Sequence, residues 1–426
     1  MRFYFETLGC RLNEAELQGW RRQVRAAGHA VEVDPVRADV VLLNTCAVTA
    51  KASRSSRKRA RGLARLNPAA NVVLTGCFSS LEGEVAQALE GVDLVVDNSQ
   101  KDRLVEIVLR ELHGEKISAE AMAPAAPFYR DPRRTRGFVK VQDGCRHRCT
   151  YCVVTIARGE ERSRTPAEVV EECRKLVEAG VTEVVLTGVH IGGYGGDVGS
   201  YLSALVEAVL EGSGVERLRL GSLEPWAVDD SLIGLLGESR LMPHLHLPLQ
   251  SGSDAVLRRM ARRCDVEQFS RIVEATRAAR PRMNITSDII VGFPGEREED
   301  HEATVEAVRR LRFGDVHLFS YSSREGTPAS RMKGALPGDV IRRRQGELRE
   351  VVNAERDAGL QRELGRELPV LLERRLDDEG WEWSGLSDTF RRVEVKLAEP
   401  GERRREVVRV VPTEISDGNL RGSEIP

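Results

Sequence analysis

A chain of 426 residues, 41% of them hydrophobic, can build two or three packed domains. No apolar run approaches the roughly 20 residues of a membrane span, and "MRFYFETLGC" reads as a strand rather than a signal peptide, so no membrane role is expected and the chain is placed in the cytoplasm. There, disulfides are disfavoured and clustered cysteines bind metal or do chemistry, while the net charge of −2 conceals dense local runs of arginine.

Residues 1–112 alternate apolar strands with helical stretches, the pattern of an α/β, doubly wound parallel sheet. "RFYFETLGC" precedes the helix "EAELQGWRRQVRAAG". "ADVVLLNTC" precedes a basic helix from about Ala50, and "ANVVLTGC" precedes a helix in "LEGEVAQALEG" and the strand "LVVDN". Cys10, Cys46 and Cys77 each end a strand, with 35 and 30 residues between them. In an open parallel sheet the C-terminal strand ends share one edge, where ligands bind. One such cysteine is an ordinary small core residue. Three in equivalent positions point to a shared metal site.

Residues 113–134 are rich in alanine and proline without a sustained period and read as a linker. Residues 135–362 hold six further strands, beginning with "GFVKVQDGC" and ending with "GDVHLFSYS", alternating with helices. That is a partial TIM-type barrel with its site at the C-terminal strand ends. Thr165 and Pro166 form a helix start, and the apolar face behind them makes Cys173 a core residue. Residues 363–426 break into short strands joined by Gly, Asp and Pro, which predicts a small antiparallel β-barrel of a kind that often binds nucleic acid.

The barrel's first strand runs into "DGCRHRCTYC", with cysteines spaced CxxxCxxC at Cys145, Cys149 and Cys152. A structural zinc site wants four ligands, and His147, in a tight loop between two arginines, is a poor fourth. No second CxxC follows. Three thiolates suit three irons of a 4Fe-4S cluster and leave the fourth iron open. Basic runs flank this loop at 130–136 and 158–164, and "KASRSSRKRARGLAR" (51–65) holds seven Lys or Arg and no acid. Taken singly, such runs are solvated helix faces balanced by acids such as Glu160 and Glu161; grouped around one site, they point to a polyanion. The C-terminal arginines, Arg374, Arg391, Arg392, Arg403, Arg404, Arg405, Arg409 and Arg421, face the same two readings.

CxxxCxxC with Tyr151 before its third cysteine resembles the signature of the radical S-adenosylmethionine (SAM) superfamily. The stretches "TLGCRLNEAE", "LNTCAVT", "VVLTGC", "VQDGCRHRCTYC", "ARGEERSR", "TGVHIGGYG", "PLQSGSD", "SDIIVGFPGE" and "FSYSSREGTPA" resemble the methylthiotransferase family of that superfamily. They cover most of the first 330 residues. The resemblance implies an N-terminal domain with an auxiliary 4Fe-4S cluster, a radical-SAM barrel and a C-terminal TRAM domain. "NTCAVTAKASRSSRK", "TGVHIGGYGGD" and "LRLGSLEPW" look most like the branch that methylthiolates N6-threonylcarbamoyladenosine beside the tRNA anticodon. The neighbouring branches act on isopentenyladenosine or a ribosomal-protein aspartate. A zinc-dependent RNA-binding protein is the distant alternative.

By that resemblance Cys145, Cys149 and Cys152 hold the cluster that binds SAM, and Cys10, Cys46 and Cys77 hold the auxiliary cluster. One SAM methylates a sulfur on the auxiliary cluster, and a second yields the radical that activates C2 of the adenine. Tyr151 lies against the adenine of SAM, and Gly188, His190, Glu224, Gln250 and Arg262 are SAM-pocket candidates. For Gly188 the reason is close backbone approach after a strand. The partners implied are the tRNA anticodon loop and an electron donor such as flavodoxin or ferredoxin. The chain departs from the family pattern at Arg146, His147 and Arg148, at Thr155 and at Cys264. The first three read either as an electropositive rim or as a solvated loop.

Overall fold

The computed structural model describes residues 1–114 and 134–425. Most of the proposed linker, and the start of the arginine run at 130–136, therefore fall outside the described residues. Strands β1 (Arg2–Thr7), β2 (Ala30–Glu32), β3 (Val40–Thr45), β4 (Asn71–Gly76) and β5 (Leu94–Val95) form one sheet in the order β2-β1-β3-β4-β5, every pair parallel. Side chains of a strand alternate between its faces. Leu42 of β3 accordingly packs with Phe3, Phe5 and Trp20, while Val41 and Leu43 pack with Leu63 and Phe78 on the other side. Both faces are covered by helices, as a doubly wound sheet requires.

Two helix boundaries differ from the sequence reading. The first helix begins at Arg11, directly after Cys10, rather than at Glu14. The stretch after Cys77 is two short helices, Cys77–Leu81 and Gly83–Gln87, broken at Glu82, whose backbone is not helical.

Strands β6 (Arg136–Lys140), β9 (Glu183–Thr187) and β10 (Arg217–Leu220) form a parallel sheet; β7 (Gln142–Asp143) and β8 (Arg162–Ser163) pair beside it. Strands β11 (His244–His246), β12 (Asn284–Val291) and β13 (Asp315–Ser320) form a second parallel sheet. Parallel bridges from Leu218 to Leu241 and from Ser222 to His246 join the two, giving the expected open arc of six parallel strands.

Strands β14 (Leu368–Arg375), β15 (Glu382–Ser387), β16 (Arg392–Lys396), β17 (Val407–Ser416) and β18 (Asn419–Glu424) close into a barrel around the buried Trp383. One expectation is corrected here: β16 and β18 run parallel. An odd number of strands cannot close with every neighbour antiparallel, so one parallel pair is obligatory.

The β15–β16 turn plugs the lower end of the six-stranded arc. Arg219 donates to the carbonyls of Ser387 and Asp388 at 2.7 and 2.8 Å, and Asn284 donates to that of Thr389 at 2.6 Å. Phe390 stacks on His244 at 4.5 Å, with the Arg219 guanidinium 5.1 Å from its ring centre. It does so at φ +63°, in the left-handed region. Ring contacts of this kind are worth about 1 kcal/mol each, and the left-handed backbone costs about 1 to 2 kcal/mol. Phe390→Ala should therefore lower stability by about 2 kcal/mol. Phe390→Gly, freed of the strain, should recover about 1 kcal/mol of that in denaturant unfolding.

Candidate functional site

The three N-terminal cysteines meet at the C-terminal edge of the first sheet. Cys10 caps the helix Arg11–Ala26, Cys46 follows β3, and Cys77 opens the short helix after β4. Gly9 and Gly76 make this approach possible, at φ +101° and +97°. A Cβ on Gly9 would stand 2.8 Å from Cys46 Cβ, and one on Gly76 would be 2.7 Å from the Thr45 nitrogen. Ser56 holds the Cys46 backbone from below, accepting from its N–H at 3.2 Å and donating to its carbonyl at 2.8 Å. Burial pushes the Cys46 thiol up to about 11, and the nearby Cys77 and Cys10 raise it further against a backbone hydrogen bond.

The loop Cys145–Cys152 is anchored at several points to its neighbours. The Thr150 N–H donates to the Met260 carbonyl at 3.0 Å and its hydroxyl to the Arg259 carbonyl at 2.8 Å. The Thr155 hydroxyl donates to the His147 carbonyl at 2.9 Å, which gives that departure from the family pattern a local role. Burial pushes the Cys145 thiol up to about 11 and the Cys152 thiol up to about 12, and each feels Cys149.

Beside the N-terminal cysteines lies a buried charge network. Arg158, with its side chain 2% exposed, donates to Asn13 Oδ1 at 2.7 Å, Glu16 Oε1 at 2.8 Å and Asp143 Oδ1 at 3.1 Å. Lys101 Nζ sits 2.5 Å from Glu16 and 2.6 Å from Asp143. Asn44 donates to Glu16 at 3.1 Å. Asn13, Glu16, Asn44 and Lys101 come from the first sheet and its helices; Asp143 and Arg158 flank the loop Cys145–Cys152. Burial alone would raise the Glu16 carboxyl, but Arg158 and Lys101 outweigh it and bring it down to about 2. The Asp143 carboxyl is likewise held well below its usual range against its burial, again chiefly by Arg158 and Lys101.

The remaining candidates fall into two groups. Arg262 lies over the Trp226 ring at 4.6 Å, donates to the Pro248 carbonyl at 2.7 Å, and stands 4.0 Å from Glu224. Tyr151 and Cys149 are near enough to influence its charge. Tyr151 itself packs against an apolar cluster of Met260, Phe293 and Tyr321. Gln250 holds φ +73° and bridges to Ile289. His190 forms the second group: its Nδ1 is 2.7 Å from Glu161, and its ring meets His147 edge-on at 4.3 Å.

Three readings change. His147 is 8% exposed and packs on His190 and Trp226, so it is neither rim nor solvated loop; Arg146, exposed, pairs with Glu161 at 3.2 Å. Glu161 is tied to His190 rather than solvated. At Gly188 the close approach is that of the chain's own Gln142 carbonyl, 2.9 Å from where a Cβ would stand. Arg158, Glu161 and Asp143 are the residues that reading by charge runs missed. All three lie in or beside the quoted "ARGEERSR" and "VQDGC" stretches.

The cysteine triads are not arranged as compact single-ion sites. A tetrahedral zinc thiolate site needs sulfurs about 3.8 Å apart. Among the described residues only Cys145, Glu161 and His190 bring three ligand atoms within 4.8 Å, and neither cysteine triad does.

The chain resembles known proteins over most of its length. The Radical SAM superfamily model matches residues 139–308, and that of an uncharacterized protein family, UPF0004, matches residues 2–97. The chain is 37% identical to the threonylcarbamoyladenosine tRNA methylthiotransferase MtaB of Thermotoga maritima, over 86% of each chain. It is 36% identical to the tRNA-2-methylthio-N(6)-dimethylallyladenosine synthase of Cereibacter sphaeroides, over 100% of this chain and 98% of that one. The radical SAM methyltransferase TsrM of Kitasatospora setae shares the fold, with a TM-score of 0.57 at 17% identity over 77% of this chain and 76% of that one. The fold and site define a radical-SAM protein, a class that uses a 4Fe-4S cluster and SAM. Within that class, the chain belongs to the tRNA methylthiotransferase family. No helix among the described residues is long and apolar enough to cross a membrane.

Removing Arg158 leaves two buried carboxylates with Lys101 and the more distant Lys140, 3.5 Å from Asp143, as their remaining cations. Breaking such a buried pair costs about 3 to 5 kcal/mol, so Arg158→Met should lose about that much in denaturant unfolding. Glu16 is depressed when folded, so its contribution is present above about pH 4.5 and is lost as pH falls towards about 2. The melting temperature should drop across that window in the wild type and drop less steeply in Glu16→Gln.

Proposed function

We propose that this protein methylthiolates C2 of N6-threonylcarbamoyladenosine next to the tRNA anticodon. The observation that carries the reading is a buried arginine, Arg158, that follows the loop Cys145–Cys152 in sequence and lies near enough to Cys10 and Cys77 to influence their thiols. In this reading Cys145, Cys149 and Cys152 hold the SAM-binding cluster, and Cys10, Cys46 and Cys77 hold the auxiliary one. Bound there, the two clusters with SAM supply the radical chemistry and the sulfur.

The chain's own groups do the positioning. Arg262, with Glu224 and Trp226, forms a charged and aromatic wall beside Cys149. His190 and Glu161 form a second wall beside Cys145. Gln250 and Gly188 shape the strand ends between these walls. Buried walls exclude water from a site where reactive intermediates must not be quenched. The anticodon loop exposes its bases without duplex opening, so the target base can reach such a recessed site.

Support for the threonylcarbamoyl group comes from the concave side of the arc. His246, Asp288 and His317 line it, with His246 3.3 Å from Asp288. A polar wall suits a side chain bearing a hydroxyl and a carboxylate. Isopentenyladenosine is the second reading, favoured by the full-length match to the dimethylallyladenosine synthase of Cereibacter sphaeroides.

Nucleoside mass spectrometry of tRNA from a deletion strain decides between them. The methylthio group should disappear from threonylcarbamoyladenosine and stay on isopentenyladenosine; the reverse pattern sinks the assignment. Protein purified without oxygen should carry about eight irons. Replacing all three cysteines of either triad with alanine should leave about four.

A further inference from the structure

The helix Ala50–Leu66 presents two different faces. Ser53, Ser56, Ala60 and Leu63 are buried against the sheet. On the opposite side Lys51, Arg54, Lys58, Arg61 and Arg65 are exposed. Their spacing of three, four, three and four residues keeps them on one stripe of a helix. At 1.5 Å per residue the stripe is about 21 Å long. Two further cations of this helix are neutralised: Arg57 lies 3.6 Å from Glu82, and Arg59 lies 2.5 Å from Glu6. The five stripe cations have no ion pair among the described residues.

That contrast separates this surface from the others nominated by charge. In the C-terminal barrel Arg392, Arg403, Arg404, Arg409 and Arg421 each pair with a glutamate, the half-buried Arg391 donates to the Gly314 carbonyl, and Arg374 is a lone exposed cation among them rather than part of a row. A row of unpaired like charges along one helix repels itself, and a partner with regularly spaced anions relieves that repulsion.

We propose that this stripe is the binding surface for the RNA phosphate backbone flanking the modified base. The inference rests on the tRNA reading above and adds where the substrate is gripped. The helix also carries Ser56, which clasps the Cys46 backbone on its inner face. Its N-terminal end is fixed as well: the Ala50 N–H donates to Ser322 at 3.0 Å, and Arg324 donates to Ser53 at 3.2 Å. One rigid element thus presents phosphate-binding cations outward and positions a cysteine of the auxiliary triad inward. RNA seated on the stripe is held at a fixed distance from that triad.

The test is the salt dependence of binding to a fluorescent anticodon stem-loop RNA, followed from about 50 to 200 mM salt. The variant is Arg54→Gln/Lys58→Gln/Arg61→Gln. The control is Arg110→Gln/Arg174→Gln/Arg271→Gln, three exposed arginines elsewhere on the molecule. Each phosphate contact contributes about 0.7 to 0.9 to the slope of log K against log salt. The stripe variant should lose about 2 to 3 units of slope and weaken binding at least about tenfold, equally for an unrelated hairpin. KM for tRNA should rise with kcat retained. Unchanged melting and iron content establish that the variant is folded. A slope equal to that of the control overturns the proposal. So does an unchanged slope with slower reduction by flavodoxin, which would make the occupant an acidic electron carrier. If another base proves to be the target while the slope still falls, the stripe stands and only the base assignment fails. If the wild type binds RNA without salt dependence, the tRNA reading itself fails.

Discussion

Arg158 cannot be left alone in the interior of this protein. A guanidinium taken out of water costs several kcal/mol unless carboxylates and carbonyl-like oxygens surround it. Here Glu16, Asp143 and Asn13 do so, and Lys101 balances the second negative charge. Those partners come from the helix Arg11–Ala26 of the first unit and from β7, beside the six-stranded arc. The electrostatic requirement of one side chain therefore fixes how two separately wound units face each other. It also fixes the relation between the two cysteine triads, because Arg158 follows one of them in sequence and influences the thiols of the other.

The same logic recurs at the other end of the arc. Arg217 and Arg219 share the buried Glu183 and spend their remaining donors on carbonyls of the C-terminal turn. Phe390 completes that seal in a strained backbone conformation. Strain of this kind persists only where the surroundings over-determine it. The C-terminal barrel is accordingly a plug built into the arc. Its arginines are largely occupied with glutamates, whereas the cations of the helix after Cys46 are not.

A consistent division of labour follows. Buried arginines pair with acids and set the positions of rigid parts. Exposed, unpaired cations lie on an outer helix face. The buried His190 and the partly buried Glu161, Glu224 and Arg262 line the space around the loop Cys145–Cys152. Chemistry that needs two polynuclear sites at a set separation depends on the first class being stiff. Substrate capture depends on the second being free.

Much of the architecture was legible in the sequence because it follows from local rules. Strand runs such as Val40–Leu43 are apolar on both faces, as a strand covered on both sides tends to be. Strands ending at Gly9-Cys10, Thr45-Cys46 and Gly76-Cys77 must share an edge in any parallel sheet, so the N-terminal triad could be expected before it was seen. CxxxCxxC is a local motif and needs no fold to be recognised. What the sequence could not reveal are pairings between distant residues. Arg158 with Glu16, Glu161 with His190 and Arg219 with the Ser387 carbonyl are separated by 142, 29 and 168 positions. Charge runs alone made Arg158 and Glu161 look solvated, and made the C-terminal arginines look as available as those of Ala50–Leu66. Only the tertiary structure decided which charges are neutralised, because neutralisation depends on what the fold brings within about 4 Å, and sequence spacing carries no record of that.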